Sequence, residues 1–289
     1  MAEDARERLL AILEGRTKPP ISHREFLGYL GDQTPGHRYN EFVPLVNFYD
    51  WLNTYRGYFN TLPEEERHWS PPPTADLHAA YLERPLGSLR PAYHPEYAAQ
   101  HPYRNEINAA VDHYMTGALF SDQAVDAVRT ASKATTHPDI FLPALEDAYR
   151  RLTPEAARFV QAAVYNIRPS TRMSRLIIVL LTLVTALVMI AGFIWAKLSP
   201  WLRLIPLVPL TAALIMLPMY IRRICLIRYL LGITDRPEWD TDGHQTDGAH
   251  LVVIEPRILH MQRQIVWRMA GVGLLLSIII WIGIMLLPQ

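Results

Sequence analysis

The residues best suited to chemistry in this 289-residue chain are its 11 histidines, its single cysteine and one acidic turn. A zinc centre needs His or Cys ligands at close spacing, such as a His-Glu-x-x-His pair on one helix face or a Cys/His quartet. Neither occurs. His94 and His101 each precede a proline, His113 follows Asp112, and His137 stands where a helix would begin. Polar and capping roles are the ordinary ones for such positions. The stretch DTDGHQTD (240–247) echoes a calcium loop through Asp240, Asp242 and Gly243. It lacks the carboxylate that closes such a loop, so it reads as a solvated acidic turn. There is no Gly-x-Ser-x-Gly elbow, no Walker loop and no Gly-rich dinucleotide turn. The expectation is a protein that is not an enzyme and that holds no metal and no cofactor.

The elements that surround these residues divide into two kinds. Lys+Arg and Asp+Glu balance at 28 each, and without a dense basic block the chain lacks the electrostatic footprint of a nucleic-acid binder. Residues 1–167 carry most of the charge and most of the histidines, whereas 176–289 is dominated by Leu, Ile, Val and Met. Cys225 stands alone, so no intrachain disulfide forms. The N-terminal MAEDARERLL lacks the apolar core of a signal peptide.

About 20 apolar residues cross a hydrocarbon core of about 30 Å. Three runs approach that length: 176–198, 202–221 and 269–287. The first and third are free of acidic residues, and the second is interrupted by Pro206, Pro209 and Pro218. The reading is three transmembrane helices. Arg168, Arg172 and Arg175 precede the first; seven arginines from Arg222 to Arg268 lie between the second and third; none follows the third. Because Lys and Arg resist translocation, the N-terminal domain and the 222–268 loop are expected to face the cytosol, with the C-terminus outside or lumenal. No Asp, Glu, Lys or Arg lies within the apolar stretches 176–196, 204–221 and 269–287, which argues against an ion pathway. The localisation expected is a multi-pass protein of the plasma membrane or an endomembrane, with the lipid bilayer as one partner.

After an N-terminal segment, 1–19, residues 20–170 read as a cytosolic helical domain. Ser22 with Glu25 three positions on suggests a capping box. Leu45, Phe48, Leu52, Tyr55 and Phe59 recur at helical spacing, with Pro44 near the first turn. Ile107, Val111, Tyr114 and Met115 form another stripe, and Phe141, Leu145, Ala148 and Leu152 a third. Ser121 is placed to cap the helix after it, and Thr153-Pro154 to start a final one. No long alternation of period two occurs, so no sheet is expected in this domain. The proline-rich stretch 68–102 reads as a long ordered loop across the bundle.

The order of REFLGYL, an aromatic helix ending NTYRGYF, a proline-rich excursion, HPYRNEINAAVDHYM and ATTHPDIFLPALEDAYRRL resembles the RGS (regulator of G-protein signalling) domain, in the fungal form that precedes transmembrane helices. The likeness runs over about 20–170, and YIRRICLIRYLLG after the second apolar run also resembles that group. It implies an all-α RGS-like helical bundle followed by three transmembrane helices. It further implies that the bundle binds a heterotrimeric G-protein α subunit and accelerates its GTP hydrolysis, attenuating signalling. Such a domain supplies no nucleophile or base; it favours the conformation in which the G protein's own groups stabilise the transition state. Carried over by position, the partner contacts fall on Asn47, on Leu119 and Ser121 in the turn after HPYRNEINAAVDHYM, and on Arg158. Leu119 stands where the family has an Asn, and Pro154 and Glu155 replace the polar partners of its Arg. The alternative is a scaffold or adaptor of the same fold without GTPase-activating activity.

Overall fold

The computed structural model describes residues 2–32, 39–68, 70, 100–167, 169–197, 201–235 and 250–286, and it is mostly helical. By internal contacts the chain forms two compact units. Unit one comprises Met1–Arg16 and Phe26–Arg158, and unit two comprises Thr17–Glu25 and Phe159–Gln289. Most of the proline-rich stretch 68–102 and the acidic turn 240–247 lie outside the described residues.

Unit one is built from α1 (Ala2–Leu13), α2 (His23–Asp32, from Phe26 on), α3 (Tyr39–Thr61), α4 (Glu64–His68), α5 (Arg104–Tyr114), α6 (Asp122–Ala134), a 3-10 turn at Pro138–Phe141, and α7 (Leu142–Ala163) as far as Arg158. No strand occurs among its described residues. The stripe expected on α3 is the core: Leu45, Phe48 and Leu52 are wholly buried, and Tyr55 and Phe59 nearly so. Phe48 is its centre, meeting Phe120 at 5.0 Å, Tyr114 at 5.4 Å and Phe141 at 5.9 Å between ring centroids. Such edge-to-face pairs add specificity to the burial of large rings. α3 begins at Tyr39, so Pro44 lies inside the helix and not in its first turn. At α2 the Ser22 N–H donates to Glu25 Oε2 at 3.1 Å, one of the two bonds of the expected capping box.

The helix expected to start at Thr153-Pro154 does not start there. α7 runs without a break from Leu142 to Ala163, with Pro154 inside it, and Thr153 donates its hydroxyl to the Tyr149 carbonyl at 2.6 Å. Proline removes one hydrogen bond at a cost of about 3 kcal/mol. Leu145, Ala148, Leu152, Ala156, Phe159 and Ala163 nevertheless continue one buried stripe through it, and burying several such side chains outweighs that cost.

Unit two holds α8 (Pro169–Trp195), a 3-10 turn at Leu202–Leu204, α9 (Leu207–Ile221), α10 (Leu226–Leu231), the antiparallel pair β1 (Ile233–Asp235) and β2 (His250–Val252), and α11 (Pro256–Met285). Two helices are long and apolar enough to cross a membrane, within Thr171–Trp195 and Pro256–Ile284. The second expected span, 202–221, is not. α9 has 15 residues, about 22 Å against a core of about 30 Å. Its prolines set the limit. A helix over 202–221 would leave the carbonyls of Leu202 and Ile205 without donors, so the chain restarts at Pro206. Pro209 then falls in the first turn, where a missing N–H costs nothing.

α9 packs between α8 and α11. Val179, Ala186 and Ile190 of α8 close on Leu207, Leu210, Ala213 and Tyr220 of α9. On the other side a Cβ at Gly273 would come within 2.7 Å of the Ile215 Cα, so only glycine permits this approach of α11. α11 starts at Pro256, 13 residues before the run expected from hydropathy, because Ile258, Gln262 and Val266 carry its buried face back into the 222–268 loop.

Candidate functional site

The four residues expected to meet a partner do not form one cluster. Asn47 is exposed on α3, beside the buried Phe48. Phe48 touches Phe120, which places the turn between α5 and α6 next to that part of α3. Within the turn Leu119 is only 8 % exposed, so its side chain offers a partner almost nothing. Ser121 is exposed and occupies the N-cap position of α6 in extended backbone, without a side-chain cap bond. Its N–H donates instead to Asp147 Oδ2 of α7 at 2.8 Å, and Arg151 of α7 donates to the Leu119 carbonyl. The end of the turn is thereby tied to α7 at Leu119 and Ser121. Arg158 stands 11 residues beyond Asp147 on α7, about 16 Å along the axis, exposed and paired with Glu155 at 2.7 Å. Asn47, Leu119 and Ser121 thus share a neighbourhood that Arg158 does not.

A second group lies at the other end of α3. Phe59 stacks on His101 at 5.8 Å and meets His137 edge-on at 5.0 Å, while Tyr55 donates its hydroxyl to the Thr136 carbonyl. Ser70 bonds the hydroxyls of Thr135 and Thr136 at 2.7 Å each. His137 caps the 3-10 turn, its Nδ1 accepting from the Asp139 N–H at 3.2 Å. Burial depresses the pKa of His101, aided by nearby Arg104. Burial also depresses that of His137, opposed by Asp139 and aided by Arg56. Both are therefore neutral packing groups. Among the described residues no cluster of three His, Cys, Asp or Glu could hold a metal ion.

Periodicity gave no sign of the joint at 164–167, inside unit two. Asn166 is wholly buried, and every polar group it owns is used. Its side chain donates to the Cys225 carbonyl at 3.1 Å and accepts from the Cys225 N–H at 2.6 Å. Its N–H donates to the Arg223 carbonyl at 3.2 Å, and its own carbonyl accepts from the Asp235 N–H at 3.3 Å and Arg228 Nη1 at 2.9 Å. Arg228 forms an ion pair with Asp235, both nearly buried, and Thr171 donates to the same carboxylate at 3.3 Å. Gln262 of α11 donates to the Val164 carbonyl at 2.9 Å. Residues 17–21 add a clip, with the Pro19 carbonyl accepting from the N–H groups of Ile254 and Glu255 at 3.0 and 3.1 Å. The starts of α8 and α11 and the end of α9 are thus locked together. The signal available in sequence was a handful of polar side chains, Asn166, Arg228, Asp235 and Gln262, crowded against apolar runs.

No protein-family model matches the chain, and no curated protein or solved structure matches it. Among the described residues the geometry contains no nucleophile with a base and no paired carboxylates in a cleft. What it offers is a rigid helical surface and a tightly bonded joint beside two long apolar helices.

Proposed function

We propose that the chain is an integral membrane protein whose helical unit one docks a membrane-tethered signalling partner, a heterotrimeric G-protein α subunit, and attenuates its signalling. The observation that carries this reading is the α5–α6 turn, held to α7 by Asp147 and Arg151 and to α3 by Phe120. That turn is where the RGS-like resemblance places a contact to the switch regions, and a turn anchored at three successive residues, Leu119 to Ser121, binds with little ordering cost. Only five residues separate α7 from α8, so little chain lies between the helix that carries Asp147 and Arg151 and the first apolar helix. The locked ends of α8, α9 and α11 carry the arginines that favour the cytosolic face.

The scaffold reading is favoured by a different observation. Leu119 is apolar and buried where an activator would present an amide to the catalytic Gln. We therefore expect docking with weak acceleration. The full chain in nanodiscs should bind Gα carrying GDP and aluminium fluoride more tightly than Gα carrying GDP alone, and should raise single-turnover hydrolysis only modestly. Equal affinity for both forms would remove the activating role and leave a scaffold, and no binding to either would remove the Gα reading altogether.

A further inference from the structure

We propose that the arginine-bearing end of α8 and α9 binds the phosphate headgroup of an anionic lipid. The site rests on the membrane reading given above, and it is built from four guanidinium groups: Arg172 and Arg175 of α8, and Arg222 and Arg223 at the end of α9. Helical geometry sets the first two. Leu176, Val179 and Leu183 of α8 pack on α9. Arg172 lies four residues before Leu176 and Arg175 four before Val179, so both project from that same face. Ile167, just before α8, and Val179 of α8 share one buried cluster with Tyr220 at the end of α9 and Cys225 just beyond it, which brings the two helix ends together. Arg223 follows with a positive φ of 61°, donates Nε to the Ile167 carbonyl at 3.4 Å and lies 5.1 Å from the Tyr165 ring.

This end has no carboxylate to spare among the described residues. Asp235 is occupied by Arg228 and Thr171, and Glu255 accepts from the Lys18 N–H at 3.0 Å. Arg172 Nε is buried and has no hydrogen-bond partner among the described residues. A desolvated donor of a charged group is costly unless an anion meets it. Positioned one turn below the first residues of the apolar run, the group stands at headgroup depth, where the anions on offer are lipid phosphates. A phosphomonoester fits better than a diester, since its charge approaches two and its free oxygens take several guanidinium bonds.

The test uses the full chain in nanodiscs of phosphatidylcholine with a small share of either phosphatidic acid or phosphatidylglycerol, followed by mass analysis of lipid retained on the protein. Phosphatidic acid should be enriched about tenfold over the bulk, and phosphatidylglycerol much less. Arg172→Gln with Arg175→Gln should abolish that enrichment. Arg172→Lys with Arg175→Lys keeps the charge and should keep part of it, which separates lost binding from lost folding. Arg263→Gln with Arg268→Gln removes the same charge from exposed positions of α11 and should leave the enrichment intact. No enrichment in the parent chain, or equal loss in both glutamine pairs, would overturn the site in favour of diffuse attraction. Displacement of the lipid by millimolar inorganic phosphate would overturn the commitment to lipid. Release of the chain from membranes by alkaline carbonate would instead sink the membrane reading, whereas retention without enrichment sinks the lipid site alone.

Discussion

Unit one and unit two solve the same folding problem with opposite polarity. In unit one the large side chains are inside: Phe26, Phe48, Phe141 and Leu152 are buried, and the charges of Arg6, Glu146, Arg158 and Asp4 face outward. In unit two Val188 is 65 % exposed, Trp195 88 % and Ile178 62 %, while Asn166, Gln262, Ser277 and the Arg228–Asp235 pair lie inside. A chain surrounded by water gains by hiding Phe and Leu. A chain surrounded by hydrocarbon gains nothing from hiding Leu and must instead pair its polar groups internally. Between α9 and α11 the Thr211 and Ser277 hydroxyls pair with each other, and Thr211 donates its own hydrogen bond to the Leu207 carbonyl at 2.7 Å.

The largest effect should come from the joint. Arg228→Ala leaves the buried Asp235 carboxylate without its counter-charge and takes one of two donors from the Asn166 carbonyl, so it should cost about 3–5 kcal/mol. Thermal unfolding of the detergent-solubilised chain reads this directly, and a loss below about 1 kcal/mol would mean that the joint does not hold unit two together. Next come paired truncations on either side of the comparison. Phe48→Ala removes the hub of the aromatic core and should cost about 3–5 kcal/mol, whereas Val188→Ala on exposed α8 should stay within about 0.5 kcal/mol. Similar losses for the two would erase the contrast between the units.

A smaller effect follows from the histidines of unit one. His101 and His137 have folded pKa values below the usual imidazole value, so the unfolded chain binds more protons as pH falls through about 6.5. Their stability contribution is present above that pH and is lost on acidification, with a slope of at most about 1.4 kcal/mol per pH unit for each group. Chemical denaturation of the full chain at pH 7.5 and pH 5.5 checks the sign; replacing both histidines by Phe should flatten the dependence, and an unchanged slope would assign it elsewhere.

What was legible in the sequence was whatever repeats. The α3 stripe Leu45, Phe48, Leu52, Tyr55 and Phe59 and the long apolar helices announce themselves by spacing and composition. The prolines were legible but cut both ways. Pro154 reads as a helix start yet is carried through by the buried stripe around it, and Pro206 and Pro209 shorten α9 where hydropathy alone counts a full span. The joint was not legible, because Asn166 meets Cys225, Arg228 and Asp235 across about 60 residues, and pairing at such range leaves no periodic trace. Of the candidate contact residues, position alone could not tell that Leu119 turns inward while Asn47, two helices away in sequence, stays exposed.

The claim beneath all of this is that unit one works in water and unit two in lipid. Single-tryptophan chains retaining only Trp51 of α3 or only Trp281 of α11, reconstituted with bromine-labelled acyl chains, test it most directly. Trp281, 41 % exposed on an apolar helix, should be strongly quenched, and Trp51 in the aromatic core should keep its emission. Equal quenching of the two, or none at Trp281, would contradict the account.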